Sequence, residues 1–358
     1  MSLPKIHVVH EYGDDFRPHS TTFIRLIRPL THPRLTAHLN TSFDLRYQDQ
    51  SADMVIVDRL WRPDVTLERV KVLVNNIRLA GAKFIYTLDD NFLDLVHENK
   101  GWPPIEFLEI VEYLLRRADG VVVSTSVLKN RLQNFNKNII VIPNALDERL
   151  LVRRYPSEGY LANSKKRITI GYMGTFTHDD DLMMVLPALE EVCKRHPDKI
   201  EVQLVGIIRR NETKNDLQNI PVRYLSPSPY ENEYPLFMLW FTGRMNWDIA
   251  ISPLRDTPFN RSKSDIKFLD YCAIGAAGVF SQVPPYESTV QHMKTGWLAE
   301  NQTEAWVEAL DKLITDEDLR VNMARNATRY LFKKRVLSQC APKWLEVVGN
   351  SIGLDINS

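Results

Sequence analysis

Short apolar runs alternate with amphipathic segments along the chain, and this alternation restricts the fold more than any other feature. In the N-terminal part, the runs that predict buried strands are Ile6–His10, Met54–Asp58, Phe84–Leu88, Val121–Ser124 and Ile139–Ile142. Helices are predicted between them: one begins at Ser20 as N-cap, one spans Thr66–Ala80 before Gly81, and one spans Ile105–Ala118. Such a βαβ order predicts a parallel sheet covered by helices on both faces.

The segment Leu151–Arg167 interrupts this order with Pro156 and Gly159, and the order then restarts. The second set of predicted strands is Ile168–Met173, Glu201–Val205, Val222–Leu225, Trp247–Ile251 and Gly278–Ser281. Helices are predicted near Asp180–Arg195, Tyr230–Phe241 and Asp265–Ile274, and the stretch Thr303–Val348 is predicted to be helical without a further strand.

These two sets predict an α/β protein with two Rossmann-like, doubly wound domains that face each other across a cleft. The predicted boundaries are 1–150 for the N-terminal domain, 151–166 for a linker and 167–335 for the C-terminal domain, with a terminal helix at 336–358 that would cross back onto the N-terminal domain. A length of 358 residues suits two domains, since one domain takes about 150 residues.

Composition excludes several classes of function. The 45 basic and 45 acidic side chains give a net charge of +0, so no bulk attraction to nucleic acid is expected. The 3 cysteines form no CxxC pair, which argues against disulfides and structural zinc and favours a reducing compartment. No apolar run reaches the roughly 20 residues of a membrane-spanning helix, and the first residues lack the layout of a secretory signal. We therefore expect a cytoplasmic protein.

The stretch Trp247–Leu298 is the most informative for function. A strand is followed by a polar loop containing Asn260, Arg261 and Lys263, and a helix begins near Asp265. Basic side chains beside a helix N-terminus form an anion site, because the unpaired N–H groups and the helix dipole act in the same direction. Considered without any resemblance, the same residues also fit a solvated surface loop, and both interpretations stay open.

Within this stretch, the segment LDYCAIGAAGVF, Leu269–Phe280, resembles the "EAMA-x-G-x-PV" motif of family 4 glycosyltransferases, which have the GT-B fold. Three further segments resemble that family in the same order: Ile142–Asp147, Gly171–Thr175 and Lys294–Leu298. Together the resemblance extends from about residue 120 to residue 335. Asp270 stands where the second glutamate of the family binds the ribose of the donor.

The chain also departs from the family. Ser262 occupies the position of the first glutamate, and Thr175–Asp181 replaces the usual arginine and lysine after the glycine turn. The resemblance therefore implies that Arg261, Lys263 and Lys267 hold the diphosphate instead. The predicted donor-binding residues are Gly174, Thr175, Asn260, Arg261, Lys263, Lys267 and Asp270.

The resemblance implies a hexosyltransferase that takes sugar from a nucleotide diphosphate, retains the anomeric configuration, and needs neither a bound metal nor a cofactor. The combination of THDDD with a later KS-x-x-K is similar to a subgroup associated with bacterial surface polysaccharides. This similarity implies a rhamnose- or mannose-like hexose, a glycan or lipid-linked glycan acceptor, and a role in the cell envelope.

Glycine at the turn after Ile168–Met173 has two explanations. Gly171 and Gly174 would let backbone N–H groups approach a phosphate, or they would simply serve the turn. The triplet Asp179–Asp181 lacks the spacing of a calcium loop, so helix capping is its first interpretation.

The predicted catalytic residues are Asp89 and Asp90, which follow the strand Phe84–Leu88, and His178 near the glycine turn. Capping of a short helix by Asp90 is the alternative, and His178 would equally suit a polar loop without a role. His10 and Glu11 end the first predicted strand and are predicted to bind the acceptor.

A basic region around the first helix contains Arg17, Arg25, Arg28 and Arg34. It predicts peripheral contact with anionic lipid at the inner face of a membrane, with a solvated helix as the alternative.

Two other functions fit the same architecture. One is a sugar-nucleotide 2-epimerase, which needs no acceptor, and the other is a non-catalytic scaffold that binds a sugar nucleotide, an interpretation that Ser262 supports.

Overall fold

Two six-stranded parallel sheets form the framework of the protein in a computed structural model that describes residues 2–48, 51–98, 103–152, 167–206 and 217–352. The chain divides into two compact units. Unit 1 comprises Met1–Asp147, Arg261–Ser264 and Val336–Ser358, and unit 2 comprises Glu148–Asn260 and Asp265–Arg335. The predicted α/β fold with two domains is confirmed, whereas residues 153–166 of the predicted linker lie outside the described residues.

The sheet of unit 1 has the strand order β2-β1-β3-β4-β5-β6. Its strands are β1 (Lys5–Val9), β2 (Asn40–Asp44), β3 (Met54–Asp58), β4 (Lys83–Leu88), β5 (Gly120–Val123) and β6 (Ile139–Val141). Five of the six were predicted to within one residue at each end. The strand β2 was missed because its sequence NTSFD is polar and its side chains alternate between exposed and half-buried at the edge of the sheet.

The helices of unit 1 that follow the sheet strands along the chain are Leu67–Leu79, Phe92–Glu98, Glu106–Arg117 and Ser126–Leu132. The first of these begins as predicted, because the side chain of its N-cap Thr66 accepts a hydrogen bond from the backbone N–H of Arg69. It ends before Gly81, whose φ of 71° lies in the left-handed region that glycine adopts without strain.

The first helical region differs from its prediction. Helical residues Ser20–Thr22 lead into a π-helical stretch, Phe23–Ile27, and then into Arg28–Leu30. The N-cap is His19 rather than Ser20, and its side chain makes no capping hydrogen bond. Ser20 therefore lies inside the first turn, and a separate short helix, Pro33–Thr36, follows.

The C-terminal segment of the chain contributes to the core of unit 1. It contains the helices Leu337–Cys340 and Lys343–Ile352. Trp344 is 1% exposed and packs in one cluster with apolar residues of β1 and β3. A backbone hydrogen bond of 2.9 Å from Leu337 N–H to the carbonyl of Leu146 ties the beginning of this segment to the loop after β6.

The short segment Arg261–Ser264 also belongs to unit 1, whereas the sequence assigned it to the C-terminal domain. Three hydrogen bonds explain this difference. Asn91 Nδ2 donates to Ser262 Oγ at 3.3 Å, Thr125 Oγ1 donates to the Ser262 carbonyl at 3.0 Å, and Asn144 Nδ2 donates to Ser264 Oγ at 2.8 Å.

The sheet of unit 2 has the strand order β12-β11-β10-β7-β8-β9. Its strands are β7 (Ile168–Met173), β8 (Ile200–Val205), β9 (Val222–Leu225), β10 (Ile249–Ser252), β11 (Ala277–Ser281) and β12 (Trp297–Ala299). The sequence predicted the first five and missed β12, whose first two residues are assigned to the motif segment Lys294–Leu298. Trp247, the predicted first residue of β10, precedes that strand.

The helices of unit 2 are Asp179–Arg195, Tyr234–Arg244, Ile266–Ile274, Pro284–Glu287, Thr303–Thr315 and Glu317–Lys334, and the short helix Pro258–Arg261 ends on the first residue of the unit 1 segment Arg261–Ser264. The predicted helix Tyr230–Phe241 is divided: a 3-10 turn, Pro229–Glu231, precedes the α-helix that begins at Tyr234. In the part of the chain that the structure describes, no helix is both long and apolar enough to cross a membrane.

Candidate functional site

The helix Ile266–Ile274, here called the donor helix, carries two of the predicted site residues of unit 2. It begins after Asp265, whose carboxylate receives two hydrogen bonds of 2.7 Å from the guanidinium of Arg335. It ends at Gly275, which has a φ of 71°. Lys267 and Asp270 lie one turn apart on this helix. The Asp265–Arg335 pair and Gly275 fix the two ends of the helix that carries them.

Asp270 is a buried carboxylate in the middle of the donor helix. It is 5% exposed, and its Oδ1 atom has no hydrogen-bond partner among the residues that the structure describes. Burial raises the pKa of Asp270 to about 7, and the charge of Lys267 opposes this rise. Because Asp270 Oδ1 is buried and shielded from water, it is suited to accept a hydrogen bond from a hydroxyl group of a ligand.

Lys267 lies between several groups of unit 2. Its ammonium nitrogen is 5.0 Å from the ring centre of Tyr172, which follows from the position of Tyr172 near the carboxyl end of β7. Its charge also acts on the carboxyl groups of Asp181 and Asp270. The donor helix therefore brings one cation to the carboxyl ends of neighbouring strands.

The glycines around β7 are required by packing. A Cβ atom on Gly171 would collide with the indole ring of Trp247, and a Cβ atom on Gly206 would collide with the carbonyl of Gly174. Gly174 donates its own N–H to the carbonyl of Val205 at 3.0 Å. This corrects the prediction that the Gly174 N–H approaches a phosphate, because that donor is already used within the sheet.

His178 and Asp181 form a hydrogen-bonded pair at the beginning of the helix Asp179–Arg195. His178 Nδ1 donates to Asp181 Oδ2 at 2.7 Å, and the backbone N–H of Arg255 donates to Asp181 Oδ1 at 2.9 Å. Burial works against the carboxylate, but the hydrogen bonds from His178 and Arg255 lower the pKa of Asp181 overall. The imidazole of His178 is thus held in one orientation.

The predicted capping role of Asp179–Asp181 is not what the structure shows. The N-cap is His178, without a capping hydrogen bond from its side chain, and the three aspartates occupy the first turn, where their charge suits the helix dipole. Asp180 and Asp181 also form ion pairs with Arg255, at 3.4 and 3.5 Å. In the described ranges, no group of three or more histidine, cysteine, aspartate or glutamate side chains is arranged to hold a metal ion.

The remaining predicted donor residues are placed differently. Asn260 is buried and donates through Nδ2 to the carbonyl of Arg255 at 2.9 Å, so it holds its own loop. Thr175 is exposed, and its hydroxyl hydrogen-bonds to that of Thr177 at 2.8 Å. Arg261 and Lys263 belong to unit 1, whereas Lys267 and Asp270 belong to unit 2.

In unit 1, a group of charged side chains collects at the carboxyl ends of β1, β3 and β4. We call it the Arg59 cluster, and its members are Glu11, Asp58, Arg59, Asp89 and Asp90. Arg59 lies 3.0 Å from Glu11, 3.2 Å from Asp89 and 3.4 Å from Asp90, measured between guanidinium nitrogens and carboxylate oxygens. Asp58 accepts a hydrogen bond of 2.6 Å from the hydroxyl of Thr22.

Three carboxyl groups of the Arg59 cluster, those of Glu11, Asp58 and Asp90, hold protons more tightly than free side chains do. Burial, and then the charge of Glu11, raises the pKa of Asp58 to about 7. Burial also raises the pKa of Glu11 against the charge of Arg59. Burial and the neighbouring Asp89 raise the pKa of Asp90, while Arg59 and Lys263 oppose this rise.

The sequence predicted Asp89, Asp90, His10 and Glu11, and the structure places all four near the carboxyl ends of the sheet strands of unit 1. The helix Phe92–Glu98 is capped by Asn91, whose Oδ1 accepts from the N–H of Asp94 at 3.3 Å, so the capping alternative for Asp90 is wrong. His10 follows β1 instead of ending it. It is 7% exposed, and burial lowers its pKa.

Arg59 and Asp58 were missed as site residues. The only signal in the sequence was their position at the end of the apolar run Met54–Asp58, which was interpreted as a strand alone. Arg59 adopts a φ of 45°, uncommon for a non-glycine residue, and this turn directs the chain out of β3. Arg255 and the pairing of Asp181 with His178 were missed because they depend on contacts between distant segments.

The basic region predicted to meet lipid headgroups is not a uniformly exposed surface. Arg25 is 5% exposed and donates to the carbonyl of Ile142 at 2.7 Å and to Asn144 Oδ1 at 2.9 Å. Arg28 forms an ion pair of 2.5 Å with the buried Asp147. These two arginines therefore stabilise the interior of unit 1, and the predicted lipid contact is wrong for Arg25 because its side chain is buried.

Comparisons with known proteins bear on the same regions. Residues 266–330, which begin with the donor helix, match the family model described as glycosyl transferases group 1. No curated protein sequence matches the chain significantly.

Solved structures resemble the whole described fold. Sucrose-phosphate synthase from Thermosynechococcus elongatus has a TM-score of 0.68 and 13% sequence identity, covering 97% of this chain and 98% of its own. HepE from Anabaena, in complex with UDP and glucose, has a TM-score of 0.66 and 14% identity, covering 97% and 100%. A glycosyltransferase from Rickettsia africae has a TM-score of 0.63 and 14% identity, covering 98% of both chains. The segment 266–330 is thus similar to glycosyl transferases group 1, and the solved structures show that the fold of the chain is GT-B.

Proposed function

We propose that this enzyme transfers a rhamnose- or mannose-like hexose from a nucleotide diphosphate to a glycan or lipid-linked glycan acceptor, with retention of configuration and without a bound metal. The nucleotide sugar would bind to unit 2 and the acceptor to unit 1. The single observation that carries the donor assignment is Asp270, a buried carboxylate inside the segment that matches the family model, whose Oδ1 atom has no hydrogen-bond partner among the described residues.

Asp270 would accept a hydrogen bond from a ribose hydroxyl, and Lys267 would contact the diphosphate. Both residues lie on the donor helix at the carboxyl ends of β7 and β10, where parallel α/β sheets bind ligands. A fixed ammonium group near the leaving diphosphate stabilises the charge that develops when the sugar departs. Arg261 and Lys263, on the segment of unit 1, stay predicted phosphate ligands.

The choice among nucleotides begins with UDP. The solved structure of HepE contains UDP and glucose, and it shares the fold of this chain. The first experiment is therefore a thermal-shift series with UDP, GDP, dTDP and CDP and their common sugars, each with and without magnesium. A rise in Tm with one diphosphate, equal with and without magnesium, supports the proposal and identifies the base. No rise with any of them contradicts the donor site.

Two alternative functions are distinguished from sugar transfer by measuring what happens to the donor that the thermal-shift series identifies. A sugar-nucleotide 2-epimerase would convert the donor to its epimer without any acceptor. A scaffold would bind the donor and leave it unchanged under all conditions. Ser262 favoured the scaffold in the sequence, but its side chain is engaged with Asn91 and its carbonyl with Thr125, so the residue serves to anchor its segment.

Lys267→Ala is expected to weaken binding of the identified nucleoside diphosphate about 10- to 100-fold, the scale of a charge-assisted phosphate contact. The corresponding nucleoside should bind as before, since it lacks phosphate. Isothermal titration of both ligands measures the difference. Lys312→Ala is the matched control, because Lys312 lies in the same unit, away from the donor helix in the sequence, and forms an ion pair with Asp316 at 3.0 Å. Equal diphosphate affinity in Lys267→Ala and wild type would contradict the phosphate contact.

A further inference from the structure

The loop that follows β1 presents an aromatic side chain to solvent. This segment, Tyr12–Pro18, is here called the Phe16 loop. Phe16 is 67% exposed and adopts a φ of 59°, in the left-handed region that non-glycine residues seldom occupy. Single exposed apolar side chains are common on protein surfaces. This one, however, combines exposure with a backbone conformation that costs free energy, and the combination calls for a function that uses the exposed ring.

Hydrogen bonds fix the conformation of the Phe16 loop at its ends and at its tip. Tyr12 pairs with Pro18 in an antiparallel bridge, and the N–H of Tyr12 donates to the carbonyl of Trp61 at 3.2 Å. The N–H of Phe16 donates to the carbonyl of Gly13 at 3.0 Å, which closes the turn at the tip. The backbone that carries the Phe16 ring is therefore held on both sides.

One face of the Phe16 ring is supported and the other is open. The ring stacks on that of Tyr12, with the centroids 5.7 Å apart and the planes at 23°. Tyr12 itself is buried, so the outer ring rests on a fixed one, and the exposure of Phe16 leaves its outer face to solvent. The face of an aromatic ring carries the negative part of its quadrupole. It attracts the positively polarised C–H bonds on the apolar face of a pyranose ring.

Hydrogen-bonding side chains lie on either side of Phe16 in the loop. Asp15 and Arg17 adjoin it, and the side chains of both are mostly exposed. Asp15 Oδ1 accepts a hydrogen bond from the backbone N–H of Arg17 at 3.1 Å, which orients the carboxylate. A carboxylate accepts hydrogen bonds from sugar hydroxyls and a guanidinium donates to them. An aromatic face beside such groups suits a sugar, because a pyranose has C–H bonds on its faces and hydroxyls around its rim.

The Phe16 loop leaves and rejoins unit 1 beside the Arg59 cluster. Glu11, a member of that cluster and a predicted acceptor residue, directly precedes the loop, and its carbonyl accepts the N–H of His19 at 3.4 Å. The N–H of Gly13 donates to the carbonyl of Arg17 at 3.4 Å. The loop therefore extends two residue steps beyond Glu11 before its tip, which is roughly 7 Å for an extended chain. That distance exceeds the width of one pyranose ring.

We propose that Phe16 stacks against a sugar ring of the acceptor next to the sugar that reacts, so that the acceptor is a glycan of at least two sugar residues. Asp15 and Arg17 hydrogen-bond to hydroxyls of the stacked ring. This inference rests on the proposed function, because it extends the acceptor site of unit 1 outward from Glu11. It concerns binding alone and adds no chemical step.

A protein partner and a lipid surface fit the Phe16 loop less well than a sugar does. One ring is far smaller than the roughly 1,000 Å² that a specific protein interface buries. The loop carries two acidic side chains, Asp14 and Asp15, and one basic side chain, Arg17, so its charge does not attract anionic lipid headgroups. A pyranose matches both the size of the ring and the polar groups beside it.

The test uses the full chain and first identifies glycans that bind. The fluorescently labelled protein, with the nucleoside diphosphate identified by thermal shift, is applied to an array of bacterial surface glycans from monosaccharides to tetrasaccharides. The variants are Phe16→Ala, Phe16→Leu and Phe16→Tyr. The control is Val72→Ala, which removes another exposed apolar side chain of unit 1. Glycans that bind then serve as acceptors for the nucleotide sugar, and KM, kcat and donor affinity are measured.

The wild type should bind disaccharides and longer glycans more tightly than monosaccharides. Phe16→Ala and Phe16→Leu should raise KM for the longer glycans about 10-fold, the order of a stacking contact together with the apolar area that it covers. Their kcat and donor affinity should stay at the wild-type values, and so should KM for monosaccharides. Phe16→Tyr keeps the aromatic face and should keep the wild-type KM, which separates stacking from the apolar contact that leucine also supplies.

Two kinetic results would overturn the inference: an unchanged KM for longer glycans in Phe16→Ala, or an equal rise in KM for monosaccharides and longer glycans. Binding to vesicles of phosphatidylglycerol and phosphatidylethanolamine that Phe16→Ala abolishes would show that the ring contacts lipid instead. A wild-type chain that binds a nucleoside diphosphate but no arrayed glycan would contradict the glycan subsite alone. Failure of every nucleoside diphosphate to bind would instead contradict the proposed function.

Discussion

Asp270→Asn is expected to stabilise the free protein at pH 8 and to weaken nucleotide binding in the same variant. Burial raises the pKa of Asp270 to about 7 from a usual 3.8, so the folded protein holds this proton more tightly than the unfolded chain does. Stability from Asp270 is therefore complete below about pH 4 and is lost as the pH rises through about 7. Each pKa unit corresponds to 1.36 kcal/mol, which sets an upper limit of about 4 kcal/mol at pH 8.

The stability experiment compares the free energy of unfolding of variant and wild type from pH 4 to pH 8, by urea denaturation without nucleotide. The two should agree near pH 4, and the advantage of the variant should grow to about 2–4 kcal/mol above pH 7. Asp198→Asn is the control in the same unit, because the Asp198 side chain is 95% exposed. A difference that does not change with pH would show that Asp270 is ionised at little cost.

The binding experiment uses the same two proteins. Asn cannot accept a hydrogen bond with a full negative charge, so affinity should fall about 10- to 100-fold, the difference between a charged and a neutral acceptor. The loss should be equal for the nucleoside and for its diphosphate, because ribose is common to both. A loss limited to the diphosphate would contradict the ribose contact. If replacing Asp270 both stabilises the free protein and weakens ligand binding, the carboxylate serves binding at a cost in stability.

Asp270 also shows which properties of a site residue the sequence can predict and which it cannot. Asp270 was singled out because it lies in a motif that resembles family 4 glycosyltransferases, and the match to the family model covers the same residues, 266–330. Its burial and its unpartnered oxygen depend on how the donor helix packs, which no local pattern contains. The same holds for Gly174, whose N–H is used by Val205 on the neighbouring strand.

The secondary structure was predictable where one hydrophobic pattern dominates a segment. Buried strands such as β3 and β7 consist of continuous apolar runs, and their bounds were predicted to the residue. Strand β2 failed because a polar edge strand lacks such a run. The assignment of Arg261–Ser264 to unit 1 failed for a different reason, since it depends on hydrogen bonds to residues 120 or more positions away, such as Asn144 with Ser264.

Arg335→Met is expected to destabilise unit 2 by about 3–5 kcal/mol, the usual cost of leaving one member of a buried ion pair without its partner. Arg335 and Asp265 are 9% and 6% exposed, and two parallel hydrogen bonds of 2.7 Å join them. Loss of the guanidinium leaves the Asp265 carboxylate buried at the beginning of the donor helix. Urea denaturation measures the loss, and Arg335→Lys should recover only part of it, because lysine cannot donate two parallel hydrogen bonds.

The double variant Asp265→Leu/Arg335→Met separates the ion pair from the space it fills. Replacing both charges removes the uncompensated carboxylate, so its stability should return to within about 1–2 kcal/mol of wild type. A double variant as unstable as Arg335→Met would show that side-chain packing, and not charge, causes the loss. If the pair also positions the donor helix, the double variant should fold and yet bind nucleotide more weakly, because Lys267 and Asp270 follow Asp265 on that helix. Wild-type nucleotide affinity in a stable double variant would restrict the pair to a role in folding.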